Sequence, residues 1–116
     1  MDEATQDRLK NEMEYHAEVA RREREALRKM APGLVKRYLT CSRWRTYYPE
    51  CIIHFLTRNK PAHIGDFGCG SGEMACLLGR LGYRVTGIDV SPDLIEVARE
   101  RARIEGVEDR VSFVVA

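Results

Sequence analysis

Three glycines within five residues, Gly68, Gly70 and Gly72, follow a short apolar run from Ile64 to Phe67 that carries Asp66. Glycine loses more backbone freedom on folding than any other residue, so such a cluster signals a geometric requirement. It can swing the chain from a strand into a helix with no side chains in the way, leaving amide N–H groups and the positive helix end open to a ligand. Seventeen residues beyond Gly72, at the end of a second apolar run, stands Asp89. A carboxylate there can accept both hydroxyls of a ribose. Together these residues read as a site for a nucleoside cofactor.

The spacing argues against phosphates. A dinucleotide loop of the form G-x-G-x-x-G, counted from Gly68, would place its third glycine at position 73, which is Glu73. A carboxylate beside a pyrophosphate is repulsive, and no G-x-x-x-x-G-K-[ST] loop occurs either. No Ser-His-Asp or Cys-His constellation is visible, so no catalytic residue is assigned. His54 and His63 are isolated, and the expectation is that the chain holds no metal. Cys41, Cys51, Cys69 and Cys76 show no C-x-x-C spacing and read as reduced thiols.

Elements on either side must position the loop. Residues 4–30 lack Gly and Pro and are rich in Glu, Arg, Ala and Leu, with Leu9, Met13, Ala17, Ala20, Leu27 and Met30 forming a narrow apolar stripe. Ala31-Pro32-Gly33 ends that helix, and Leu34 to Leu39 can add a short turn. Pro49 suits the first turn of a helix running to about Arg58, with Cys51, Ile52, Phe55 and Leu56 on its inner side and Ile53 flanking them. A strand over 62–67 leads into the glycine turn, and the pattern then gives a helix over 73–81 and a strand over 84–88. Ser91 and Pro92 start a third helix that buries Leu94, Ile95, Val97, Ala98 and Ala102 and closes at Gly106, before a last strand over 111–116.

The runs IGDFGCGSG and GIDVSPDLIEVAR closely resemble the first two cofactor-binding motifs of the class I S-adenosylmethionine-dependent methyltransferases. The resemblance covers about Ile64 to Ala116. It implies an α/β, Rossmann-like fold and S-adenosyl-L-methionine as cofactor. It also implies that Asp66, Phe67, Gly68, Cys69, Gly70, Ser71 and Gly72 approach the methionine part, that Asp89 takes the ribose hydroxyls, and that Val90 packs beside the adenine. In that family the sheet order is 3-2-1-4-5-7-6. This chain stops at what reads as the third strand, so the expectation is a truncated 3-2-1 sheet in a fragment. Residues 1–48 would then be a helical extension or cleft cover, and residues 49–116 the N-terminal half of the cofactor domain. Acceptor-holding residues in the family come largely from later segments and from such a cover, which leaves Tyr38, Trp44, Tyr47 and Tyr48 as candidates here.

Nine Lys or Arg and only two Glu lie between Arg21 and Arg45, yet the whole chain carries a net charge of +1. The overall balance favours a small-molecule acceptor over nucleic acid. No apolar run approaches eighteen residues and no signal segment is evident, so a cytoplasmic protein without a membrane partner is expected. A homodimer through helix 4–30 or through an open strand edge is a further expectation. Three alternatives stay open: a nucleic-acid methyltransferase, a nicotinamide-dependent oxidoreductase, and a non-catalytic module that keeps the fold.

Overall fold

The structure, a computed structural model, describes residues 1–31, 33 and 48–116. Three parallel strands, β1 (Ile64–Phe67), β2 (Val85–Asp89) and β3 (Val111–Val115), lie in the order β1-β2-β3. This is the expected 3-2-1 order of a Rossmann-like sheet seen from its other edge. Asp66 stands opposite Gly87 and Phe67 opposite Ile88, so the turn after β1 and the end of β2 meet at one rim. In open parallel sheets the carboxyl ends of the strands are where ligands bind.

Helices α3 (Glu73–Arg80) and α4 (Pro92–Glu105) link successive strands, as parallel pairing requires. Their small and branched residues, among them Ala75, Cys76, Leu78, Ile95 and Ala98, pack with Val85, Val111 and Phe113 on one face of the sheet. Burial of a Leu or Ile such as Leu78 or Ile95 contributes about 1.5–3 kcal/mol. The opposite face carries the alternate residues. There His63 Nε2 lies 2.8 Å from Thr86 Oγ1, which in turn lies 3.4 Å from Ser112 Oγ, and the Phe67 ring is exposed.

Local signals account for the helix limits. The Ser91 hydroxyl accepts the Leu94 N–H at 3.3 Å, Pro92 fills the first helical position, and Gly106 ends α4 at φ +69°. Helix α2 (Tyr48–Asn59) corrects one packing expectation: Ile53 and Leu56 are buried, whereas Phe55 is exposed. Ile53 and Leu56, three residues apart, sit one above the other, and Phe55 falls about 100° away from Leu56 on the helix.

Helix α1 (Glu3–Glu25) ends five residues before the expected Met30. Beyond it the Met30 N–H donates to the buried Glu105 carboxylate at 2.6 Å, so the segment is drawn back onto the domain. The expected stripe is only partly used: Ala20 is buried with Leu94 and Val97, while Leu9 and Met13 stay exposed. Among the described residues no helix is long and apolar enough to cross a membrane.

Candidate functional site

The chain leaves β1 by bending across the end of β2. The N–H groups of Gly68 and Cys69 both donate to the Ile88 carbonyl, at 2.8 and 3.1 Å. The Gly72 N–H then donates to the Cys69 carbonyl at 3.0 Å, and the Cys76 N–H to the Gly72 carbonyl at 2.9 Å, which starts α3. Gly68, Gly70 and Gly72 adopt φ of +73°, +54° and +75°. An L side chain in that region costs roughly 1–2 kcal/mol.

The three glycines do different work beyond this shared conformation. A Cβ on Gly72 would lie 2.7 Å from Phe113 Cζ and 2.8 Å from the Ala98 Cβ, so the missing side chain lets the loop seat on α4 and β3. A Cβ on Gly68 or Gly70 would meet nothing among the described residues within 4 Å. Those two leave bare main chain facing open space, the surface a ligand can approach closely. Gly72 is also the N-cap of α3 and offers no side-chain acceptor, so the first-turn N–H groups lack the usual side-chain cap.

Asp89 holds the rim together. Its Oδ2 accepts the Gly70 N–H and its Oδ1 the Ser91 N–H, each at 2.9 Å. A carboxylate has about four lone-pair sites, so two remain for further donors. Asp66 is placed differently: its Oδ2 is buried and has no hydrogen-bond partner among the described residues. Burial, and then the charge of Asp89, push its carboxyl above the ordinary range. Burial and the same two carboxylates raise the Cys69 thiol to about 11, so it stays protonated near neutrality and is no nucleophile. The rim therefore sets two carboxylates beside bare main chain, which suits a ligand that combines hydrogen-bond donors with positive charge.

Of the residues singled out from the sequence, Asp66, Gly68, Cys69, Gly70 and Gly72 gather at this rim with Asp89, and Val90 follows on with most of its surface exposed. Phe67 points to the open sheet face, away from the helices. Ser71 turns to other partners: its hydroxyl donates to Glu23 Oε2 at 3.0 Å, and its carbonyl accepts the Arg101 Nε–H at 3.0 Å. Tyr38, Trp44 and Tyr47 lie outside the described residues, and Tyr48 opens α2.

Three contributors escaped the reading of the sequence. Gly87 has no room for a Cβ, which would sit 2.5 Å from Phe113 Cδ1 and 2.9 Å from Cys69 Sγ. Glu23 and Arg101 reach the loop from α1 and α4. Arg101 could have been suspected, because it falls three and seven residues after Ala98 and Leu94, on the stripe that α4 buries.

Residues 64–116 match the family described as methyltransferase domain. Among curated proteins, the methyltransferase GfsG of Streptomyces halstedii is 54% identical over 52 residues, 44% of this chain and 19% of that protein. A ribosomal protein L11 methyltransferase of Alteromonas mediterranea is 49% identical over 49 residues, 41% of this chain and 17% of that protein. The chain thus spans less than a fifth of the length of these relatives. Among solved structures, the methyltransferase domain of bacterial CtHen1-C superposes with a TM-score of 0.51 at 26% identity, covering 59% of this chain and 38% of that one.

Proposed function

We infer that this chain, whose residues 64–116 belong to the class I S-adenosylmethionine-dependent methyltransferases, binds S-adenosylmethionine over the ends of β1 and β2 and contributes to placing its methyl group on an acceptor. The observation that carries this reading is a conjunction at one rim: two glycines with open space before them, Asp89 with spare lone pairs, and an Asp66 oxygen with no hydrogen-bond partner among the described residues.

The residues fit that cofactor chemically. Asp89 can accept ribose hydroxyls on its remaining lone pairs, each charge-assisted bond contributing about 1.5–3 kcal/mol. Asp66 and Asp89 repel one another, and a cationic ligand relieves that repulsion. The ammonium of the methionine part suits the half-buried Asp66 carboxylate beside Asp89, and the exposed apolar surface of Val90 suits the adenine. When bound, the cofactor would supply a methyl group activated on a sulfonium, which passes in line to the acceptor's lone pair as the carbon–sulfur bond breaks and the neutral thioether leaves. The work of the protein is then orientation and exclusion of water, with no nucleophile of its own.

The acceptor we assign is a small molecule, since a net charge of +1 gives no broad attraction for a phosphate backbone. Residues 1–48 serve as the cover in this reading, with Tyr38, Trp44, Tyr47 and Tyr48 as acceptor-side candidates. A cytoplasmic setting is in keeping with the free thiols of Cys69 and Cys76.

Parallel calorimetric titrations with S-adenosylhomocysteine and NADH test the assignment. Heat from the first alone is expected. Heat from NADH alone would move the chain to nicotinamide chemistry, and heat from neither would leave a module that keeps the fold without the cofactor.

A further inference from the structure

The first half of α1 is exposed among the described residues. Residues 3–15 are exposed along their whole length, and contact with the domain begins near His16. The apolar part of the docking is small, with Val19 and Ala20 set against Leu94 and Val97. Arg24 adds two long, half-exposed ion pairs to Glu96 and Glu100, both at 3.7 Å. Such pairs hold little.

The tighter attachment is polar and ends on the glycine loop. Arg101 on α4 is 8% exposed, and a guanidinium so buried needs acceptors of its own. It has two from different elements: the Ser71 carbonyl, 3.0 Å from Nε, and Glu23 Oε2 on α1, 3.1 Å from a terminal nitrogen. The Ser71 hydroxyl closes the ring by donating to the same Glu23 oxygen at 3.0 Å. One carboxylate oxygen of α1 therefore accepts from both the loop and the arginine that holds the loop.

The position of Ser71 gives this ring its consequence. Asp89 grips the preceding residue through the Gly70 N–H, and Arg101 grips the peptide that joins Ser71 to Gly72 through its carbonyl. The N–H of that same peptide donates to Cys69 and closes the turn. The loop orientation is thus set from β2 on one side and from α4 with α1 on the other.

We propose that Arg101, held by Glu23, is a positioning residue for the cofactor loop, so that docking of α1 and occupancy of the loop are two sides of one coupled equilibrium. The proposal rests on the cofactor reading above. Linkage makes it reciprocal: the factor by which docked α1 tightens cofactor binding is the factor by which cofactor tightens docking. Glu23→Gln keeps the size of the side chain and removes the charge that the buried guanidinium requires.

The test is hydrogen exchange on the full chain, wild type, Glu23→Gln and Arg101→Lys, each with and without S-adenosylhomocysteine. Without ligand, Glu23→Gln should speed exchange in residues 16–25 and also in residues 69–72, with the β2 and β3 amides unchanged. With ligand, wild type should gain protection in α1 as well as in the loop, and Glu23→Gln should bind about five-fold or more weakly and lose the α1 response. Arg101→Lys keeps the charge without the planar fork and should loosen the loop too. Should that variant fail to fold, Glu23→Gln decides alone. Loop exchange unchanged in ligand-free Glu23→Gln would overturn the coupling. Faster exchange spread evenly over the whole domain would equally overturn it, by showing a merely structural role. If the wild type binds no S-adenosylhomocysteine, the cofactor reading falls, and the ligand-free comparison still decides whether α1 positions the loop.

Discussion

Gly70→Ala and Gly72→Ala separate two uses of glycine within one loop. Both residues have positive φ, +54° and +75°, so each alanine carries a conformational cost of about 1–2 kcal/mol. At Gly70 nothing among the described residues lies within 4 Å of the new methyl, and the cost should stop there. At Gly72 the methyl would press on Phe113 and Ala98 at 2.7 and 2.8 Å. Overpacking of that kind adds roughly 1–3 kcal/mol. The expected stability losses are therefore about 1–2 kcal/mol for Gly70→Ala and about 2–5 kcal/mol for Gly72→Ala, with roughly 4–8 °C of Tm per kcal/mol. Affinity should follow the opposite order. The Gly70 methyl protrudes into the space assigned to the ligand and should lower S-adenosylhomocysteine affinity by at least about ten-fold, since a lost 1.4 kcal/mol is already that much. Differential scanning calorimetry and calorimetric titration on the two variants give both numbers. Equal destabilisation, or full affinity in a folded Gly70→Ala protein, would refute the division of labour.

Three further outcomes are expected. Asp89→Ala should cut cofactor affinity by about ten-fold or more and also lower Tm, because the Gly70 and Ser91 N–H groups lose their acceptor; unchanged titration heats would remove Asp89 from the site. Asp66→Asn should raise stability at neutral pH, by no more than about 1 kcal/mol, while weakening the cofactor, since it removes a half-buried charge that Asp89 repels. The sign follows from the raised carboxyl. The folded protein binds the Asp66 proton more tightly than the unfolded chain does, so stability from this group falls as pH rises from 3.8 through its folded value, and the penalty is complete above that. A melt series showing the wild type and Asp66→Asn converging toward acid would agree, and divergence there would not. Finally, β1 is an edge strand of the described sheet, and we propose that the 116-residue chain studied by itself pairs there; light scattering at tens of micromolar would then read a dimer, and a monomeric mass would contradict that pairing.

The strand-loop-helix unit was legible because it is written in local chemistry, whereas the 3-2-1 sheet order and the roles of Asp66 and Cys69 were carried by the family resemblance. Glycine spacing, a serine cap before a proline, and period-3.6 apolar stripes act within a few residues, and the contacts that decide them are local. What escaped depends on distance. Whether a glycine serves packing or approach is decided by Phe113 and Ala98, which lie far along the chain from Gly72. Phe55 and Ile53 exchange roles because the inner face of α2 is set by what it packs against, and the sequence alone leaves its rotation free by a residue. The segment after α1 is tied down at Met30, whose amide donates to Glu105, seventy-five residues away. Glu23 and Arg101 look like two more charges among thirty-seven until the fold places them on Ser71.

Chemical-shift mapping of the labelled chain with S-adenosylhomocysteine addresses the central claim most directly. The amides of Gly68, Gly70, Ser71, Asp89 and Val90 should move together along one saturable curve. Shifts confined to other surfaces, or none at saturating ligand, would show that this rim does not hold the methyl donor.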